Sequence, residues 1–407
     1  MKLAFTNEPV NSFVNPVDRE AQFKAIEAVE ASFGKRYPIV IGGQEFFTDK
    51  EIKSINPSDT SQVVGLAASA TPELADKAVK VAYENFPAWS QTSFAERARI
   101  LWRAASIMRK RRFELNATMI LEAGKTWIEA DADTAEAIDF CEFYAHEAIR
   151  YGQPQPVIPT AGEDDEMTYI PIGPVVVIPP WNFPLAITAG MTVAALVTGN
   201  TVVLKPASPT PVIAWKLFEI LHEAGLPSGV LQYVPGSGGA VGDILVGHPL
   251  TRMVAFTGSM DVGIHINALA AKVAPGQIWL KRVIAEMGGK DAIIVADDGN
   301  IKEAAAAITA SAFGFQGQKC SACSRAILDA AIYDDVMAEV VAATKKLKVG
   351  PAKDPNSQVG PVITESAMNS ILGYMEIGKK EGKLLCGGGR ADGPGYFLQP
   401  TIFGDVP

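Results

Sequence analysis

From residue 175 onward, short apolar runs rich in β-branched residues alternate with segments of helical periodicity, and no other feature restricts the fold as much. Residues 175–178 (Val-Val-Val-Ile) read as a strand, 185–197 as a helix, 201–204 as a strand, and 212–224 as a helix ended by Gly225. Further strand patterns lie at 230–234 and 253–256, with helices at 240–246 and 262–273. Apolar strands this short, each followed by a helix, build a parallel sheet covered on both faces: the doubly wound α/β class. After Glu286 the alternation resumes, with strands at 292–295 and 325–328 and helices at 301–313 and 333–347. A second α/β domain is therefore expected from about residue 286.

The first 150 residues read as mostly helical. Thr71 is placed to cap a helix, Pro72 suits its first turn and Glu73 suits its dipole, and apolar residues recur from there through Phe86. A second helix is expected over 94–116 and a third over 127–150. The basic run at 109–112 reads as a solvated face. Residues 151–170 differ: prolines keep their first part extended, and Glu-Asp-Asp-Glu at 163–166 is acidic. They read as an excursion from the domain.

With 407 residues, two or more domains fit at roughly 100–200 residues each. Hydrophobic residues at 48% and charged residues at 20% suit a soluble chain with a large core, not a disordered one. A net charge of -9 gives nucleic acid or an anionic membrane no reason to bind. The N-terminal MKLAFTNEPVNSF has neither the apolar stretch of a secretory signal nor the Arg-rich character of a transit peptide. The most apolar region, 175–197, is broken by Pro179, Pro180, Trp181, Asn182 and Pro184, whereas a membrane span needs about 20 apolar residues in a row. Four cysteines (Cys141, Cys320, Cys323 and Cys386) are too few for a disulfide framework, so a reducing cytoplasm is the expected compartment.

Several strand-to-helix corners carry residues suited to chemistry. The Gly-Ser-Gly-Gly-Ala-Val-Gly turn at 236–242 stands where dinucleotide-binding glycines occur, although its spacing departs from G-x-G-x-x-G and a plain tight turn also explains it. Phe256, Thr257, Gly258 and Ser259 form a second corner, where backbone amides and a hydroxyl can hold a phosphate. Lys205 ends a third strand, a position fit either for a ligand contact or for a surface lysine. The Pro-Trp-Asn-Phe-Pro corner at 180–184 presents Asn182, a neutral donor for a developing oxyanion, or is simply a rigid turn around a packed Trp181. Glu286, at the end of an apolar strand before two glycines, is a candidate general base or a solvated strand end.

The loop Phe-Gly-Phe-Gln-Gly-Gln-Lys-Cys-Ser-Ala-Cys at 313–323 is the most informative stretch. Cys320 follows a helix in a Gly/Gln-rich loop beside Lys319, a setting that can expose and activate a thiolate. Cys320 and Cys323 also have the spacing of a redox pair or of half a zinc site, but no second cysteine pair accompanies them.

In content, order and approximate spacing, Asn182, Lys205, the turn at Gly236, Ser259, Glu286 and Cys320 together resemble the aldehyde dehydrogenase superfamily, from about residue 38 to the end. Residues 313–324 and 285–291 look like its 1-pyrroline-5-carboxylate dehydrogenase subgroup, and the segments at 7–9, 37–43 and 135–140 fit the same subgroup.

The resemblance implies NAD(P)-dependent oxidation of L-glutamate γ-semialdehyde to L-glutamate in proline degradation. In that scheme Cys320 is the nucleophile, forming a thiohemiacetal and then a thioester. The Asn182 side chain and the Cys320 backbone N–H form the oxyanion hole, and Glu286 activates the hydrolytic water. Implied cofactor contacts are Ile178, Pro179, Pro180 and Trp181; Lys205, on the adenosine ribose, with Ala207 and Ser208; Gly238 and Gly242; Phe256, Thr257, Gly258 and Ser259; and Met287 and Gly288. NAD-preferring relatives often have Glu where this chain has Ser208, so NADP is expected to be accepted besides NAD. Ser321, Phe183 and Glu136 are the implied substrate contacts: a carboxylate partner, a pocket wall and a partner for the substrate amine. Glu136 also reads as an exposed helix residue.

The implied domains are a cofactor domain over 1–150 and 171–285, an oligomerisation flap over 151–170, and a catalytic domain over 286–407. A homo-oligomer is implied, dimer or higher, with a functional link to proline dehydrogenase. Relatives continue for roughly another quarter of their length. The segment expected there carries a Glu-x-Phe-Gly-Pro motif for the nicotinamide ribose, a loop for the substrate carboxylate and a final strand. The sequence thus reads as a fragment with an incomplete catalytic domain. Other readings are oxidation of a different semialdehyde, such as succinic semialdehyde, and a nucleotide-binding fragment without turnover.

Overall fold

The computed structural model describes residues 5–407; the first four residues of the N-terminal reading lie outside them. The chain begins with helix α1 (Pro16–Glu30), then strands β1 (Lys35–Tyr37), β2 (Ile39–Ile41), β3 (Gln44–Phe46), β4 (Glu51–Ile55) and β5 (Val63–Ala68). Helices α2 (Pro72–Ser90), α3 (Phe94–Lys110), α4 (Arg112–Ala123) and α5 (Trp127–Tyr151) follow. The alternating region forms β6 (Val175–Ile178), α6 (Ala186–Val197), β7 (Val202–Leu204), α7 (Pro211–Glu223), β8 (Leu231–Tyr233), α8 (Asp243–Gly247), β9 (Met253–Thr257), α9 (Met260–Ala270) and β10 (Arg282–Glu286). The last third contains β11 (Asp291–Val295), α10 (Ile301–Phe313), β12 (Cys323–Leu328), α11 (Tyr333–Thr344), α12 (Glu365–Glu381), β13 (Lys383–Cys386) and β14 (Ile402–Gly404).

A seven-stranded sheet in the order β10-β9-β6-β7-β8-β2-β3 organises the molecule. Its first five strands are parallel. The chain lays down β6, β7 and β8 in one direction and returns to place β9 and β10 on the other side of β6. The order therefore reverses between β6 and β9, and in open α/β sheets ligands bind at the carboxyl ends beside such a reversal. β7 is buried at every residue, as a strand covered on both faces must be. The second, smaller unit pairs β11 and β12 in parallel, and its core includes Val295, Ile308, Val336 and Cys323.

Two expectations are corrected and one is refined. Helices α1 to α5 do make up most of the first 150 residues, but five strands outside that expectation precede Thr71. β2 and β3 extend the large sheet as an antiparallel hairpin, and their two-residue turn, Gly42 and Gly43, has φ of 62° and 79° at both positions. That is the backbone such turns demand, and glycine adopts it without strain. The helix expected over 94–116 is two helices, bent at Arg111 (φ -97°, ψ 14°).

The basic run at 109–112 is largely paired rather than solvated. Arg109 binds Glu8 and Glu142, Arg111 binds Glu114 at 2.9 Å, and Arg112 holds the fully buried Asp131 at 2.6 Å. Apart from Glu114, three residues from Arg111, those carboxylates come from the N-terminal segment and α5, so linear sequence hid them. No helix among the described residues is long and apolar enough to cross a membrane.

Candidate active site

Every carboxyl end of the five parallel strands delivers one of the residues singled out from sequence. β6 runs into Pro179, Pro180, Trp181, Asn182 and Phe183; β7 into Lys205; β8 into the glycine turn; β9 into Gly258 and Ser259; and β10 ends on Glu286. The last two ends are tied together, because Gly258 N–H donates to the Glu286 carbonyl at 3.0 Å. Ile178, Thr257 and Met287 are half-buried beside them, and Phe256 is buried.

The parallel pairing of β11 with β12 brings the thiol loop to the same end. Glu286 leads into β11 and Cys320 leads into β12, with Asp291 opposite Cys323. Gly289 approaches so closely that a Cβ built there would sit 2.5 Å from the Cys320 carbonyl oxygen. From the other side the Asn182 side-chain amide donates to the Gln318 carbonyl at 2.9 Å. One amide hydrogen thus fixes the corner against the thiol loop and leaves the second for an oxyanion. Gln318 accepts the Ile363 N–H at 3.0 Å, while Gln316 donates to the carbonyls of Gly124 and Pro361. These side chains hold Phe315 and Gln316 at φ of 46° and 59°, a left-handed region worth about 1–3 kcal/mol of strain per non-glycine residue. Cys320, Ser321 and Glu286 are exposed, whereas Cys323 is buried and donates to the Arg325 carbonyl.

Charge clusters beside the loop. Lys319 does not face the thiol as a free cation; its ammonium pairs with Glu129 at 2.7 Å. One turn further along α5, Asp133 pairs with Lys125 at 3.1 Å, both side chains wholly buried. Asp133 also accepts the Ala186 N–H at 2.6 Å, next to the Asn182 corner. Glu136 is an exposed residue on the same helix, where desolvation by the surrounding protein and then the nearby Asp133 raise its pKa. The sequence reading missed Lys125, Asp133 and Glu129. The Gly-Lys step after α4 was their only local trace.

The nucleotide side of the sheet fits a dinucleotide. Lys205 is buried and its ammonium donates only to the Pro206 carbonyl at 3.2 Å, so two of its three hydrogens remain for a ligand; desolvation lowers its pKa to about 8. Ala207 and Ser208 follow it, half-buried. Gly238 and Gly242 have open space where a side chain would stand. Ser259 caps α9 without a side-chain hydrogen bond, leaving that helix's first amides to a phosphate.

Residues 46–407 match the aldehyde dehydrogenase family. This chain belongs to the aldehyde dehydrogenase family. It is 57% identical over 402 residues to the 1-pyrroline-5-carboxylate dehydrogenase of Geobacillus sp. (strain WCH70), a match covering 99% of this chain and 78% of that protein. The structure of 1-pyrroline-5-carboxylate dehydrogenase from Thermus with bound NAD superposes with a TM-score of 0.98 at 47% identity, covering 100% of this chain and 79% of that one. Proline utilization A from Bdellovibrio bacteriovorus is also similar, with a TM-score of 0.96 at 43% identity over 99% of this chain and 42% of that chain. Within the aldehyde dehydrogenase fold, Asn182, Lys205 and the glycine turn follow strands on one side of the reversal, Ser259 and Glu286 belong to strands on the other, and the thiol loop is tied to the Asn182 corner and to the chain just after Glu286.

Proposed function

We propose that this chain oxidises L-glutamate γ-semialdehyde, in equilibrium with 1-pyrroline-5-carboxylate, to L-glutamate in the cytoplasm, as a step of proline degradation. The observation that supports the reading is that the Asn182 amide reaches the Gln318 carbonyl, two residues before Cys320, while Gly289, three residues after Glu286, abuts the Cys320 carbonyl. The names of relatives as much as 57% identical over nearly the whole chain support the substrate. The likeness to proline utilization A supports a functional link to a proline-oxidising partner.

The Cys320 thiolate attacks the aldehyde carbon. A C–S bond forms, and the carbonyl electrons move to an oxygen held by the free Asn182 N–H and the Cys320 backbone N–H. NAD, when bound, would supply a two-electron hydride acceptor; with the hydride gone, the oxyanion electrons re-form the C=O bond and Cys320 carries a thioester. Glu286 then takes a proton from water, the water attacks the thioester carbon, and the C–S bond breaks to release carboxylate and thiolate. Lys205 with Ala207 and Ser208, the Gly238 and Gly242 turn, and the corner from Phe256 to Ser259 hold the cofactor's adenosine and phosphates, while Ile178, Pro179, Pro180, Trp181, Met287 and Gly288 line its path to the thiol. Ser208 carries no charge that would repel a 2′-phosphate, so NADP serves as well. Ser321, Phe183 and Glu136 receive the substrate's carboxylate, chain and ammonium.

Residues 1–150 and 171–285 act as the cofactor domain and 286–407 as the catalytic domain. The flap at 151–170 joins copies into a homo-oligomer, consistent with its exposed Ile158 and Ile170.

The test is reduction of NAD by the purified chain given pyrroline-5-carboxylate, with propanal as a second aldehyde and Cys320→Ser as control. Turnover that prefers pyrroline-5-carboxylate and vanishes in the variant is expected. Equal rates with both aldehydes would refute the substrate, and turnover in Cys320→Ser would refute the nucleophile.

A further inference from the structure

One buried stretch, residues 122–125 at the end of α4, touches both halves of the site. Glu122 is fully buried. Its Oε1 accepts the Val212 N–H at 2.8 Å and the Ser54 hydroxyl at 2.8 Å, and its Oε2 accepts the Ile213 N–H at 2.8 Å. Helix α7 begins at Pro211 and has no side-chain cap of its own, so a carboxylate from another helix satisfies its first free amides. The loop that enters α7 carries Lys205, Ala207 and Ser208, and Ser54 Oγ lies 3.3 Å from its Pro209 carbonyl.

Within the next three residues the chain serves the other half. Gly124 turns at φ 70° and its carbonyl accepts Gln316 Nε2 at 3.1 Å, inside the thiol loop. Lys125 Nζ is buried against the ring faces of Phe315 (4.2 Å to the centroid) and Phe183 (4.4 Å), with Asp133 as its counter-ion. Phe315 precedes the nucleophile in its strained loop, and Phe183 adjoins Asn182. A buried cation against two ring faces holds them at a fixed separation. The remaining Asp133 oxygen fixes the start of α6 just beyond that corner.

We propose that residues 122–125 are the positioning element of this site, with Glu122 setting the cofactor loop at 205–210 and Lys125 setting the Asn182 corner and the Cys320 loop. The proposal rests on the cofactor and thiol roles proposed above. Its distinctive consequence is that the two halves come apart on substitution, which loss of general stability would not produce.

Two readouts that need no aldehyde test it on the purified chain: the Kd for NAD from tryptophan fluorescence, and the rate of Cys320 alkylation by iodoacetamide followed by peptide mass spectrometry. Glu122→Gln sets an amide N–H₂ against backbone donors and breaks a charge-assisted bond, so NAD binding weakens about tenfold while alkylation stays within about twofold. Lys125→Met with Asp133→Asn removes both charges together, leaving no lone buried ion. Alkylation then falls about tenfold through misplacement of the loop, with the Kd for NAD within about twofold. Lys125→Arg, which keeps charge and stacking, restores most of the alkylation rate.

Both readouts moving together in either variant, or neither moving, overturns the proposal. If those variants do not fold, Ser54→Ala and Phe315→Leu each remove a single contact and must show the same split at about threefold amplitude; its absence overturns the proposal equally. Wild-type chain that alkylates at Cys320 but binds no NAD would instead refute the cofactor reading, and the Lys125 arm would still decide the thiol half.

Discussion

The side chains proposed for the chemistry are few, and Asn182 is held by a neighbour with no part in the reaction: its bond to the Gln318 carbonyl aims its remaining N–H. Removing an oxyanion donor typically lowers kcat about 10²–10³-fold. Asn182→Ala is therefore expected to lower kcat by that amount and to leave the Kd for NAD unchanged, as stopped-flow and binding measurements would report. A loss below tenfold would mean that the backbone N–H of Cys320 stabilises the oxyanion alone. Lys319 carries a different lesson. Its place beside the cysteine suggests an activating cation, but the ammonium is neutralised by Glu129, and what it contributes is a strut between α5 and the thiol loop.

At the scale of elements, α4 and α5 stand out because they carry buried charge. Asp131 receives Arg112, the Asn116 amide at 2.9 Å and the Asn11 N–H, locking the N-terminal segment onto α5. Glu122 does the same for α7. Burial raises its carboxyl to about 7 against three hydrogen bonds that favour the ion. Its folded pKa thus exceeds the unfolded value of 4.5, so the associated stability is fully present below about 4.5 and is lost as pH rises through about 7. The full span is on the order of 3 kcal/mol at about 1.4 kcal/mol per unit. Tyr37 and Tyr233 face the same carboxylate, but both are pushed upward by burial and do not titrate in that window. Relative to Glu122→Gln, the wild-type Tm should rise as pH falls from about 7 to about 4.5. A difference in Tm that is flat across this range would show that Glu122 stays ionised throughout.

For the molecule as a whole, the flap at 151–170 is its least packed part. It has a single bridge, Gln155 with Met167, and it exposes Ile158 at 88%. A second copy seated on these apolar side chains would cover them, so the chain is expected to sediment as a dimer or larger. Replacing 156–166 with a short Gly/Ser linker should shift it toward the monomer, and an unchanged sedimentation coefficient would remove the flap from assembly. The match spans 78% of the Geobacillus relative's length, yet all five parallel strands and the thiol loop lie within it.

The alternating region is legible in the sequence because local chemistry decides it. Val-Val-Val-Ile at β6 and Val-Val-Leu at β7 are short, β-branched and bounded by prolines or a glycine-asparagine turn, which favours strands covered on both faces, and the helices between them follow from 3.6-residue periodicity. The glycine turn, Asn182, Lys205, Ser259, Glu286 and Cys320 could be picked out because corners after parallel strands are where such sheets bind ligands. Strands β1, β2 and β3 escaped because three residues are too few for a period, even though the Gly42 and Gly43 pair marked a turn, and β5 escaped because its run, Val-Val-Gly-Leu-Ala-Ala, does not alternate. The bend at Arg111 escaped because the apolar pattern runs through it. Pairing was out of reach for another reason. Whether a charged residue meets water or a counter-charge depends on what a distant segment places beside it, as with Arg112 and Asp131, Lys319 and Glu129, or Lys125 and Asp133. Local sequence therefore determined the alternating elements from β6 onward and the chemical inventory of the site, and only the tertiary structure decided which charges are neutralised and which side chains hold the reactive ones in place.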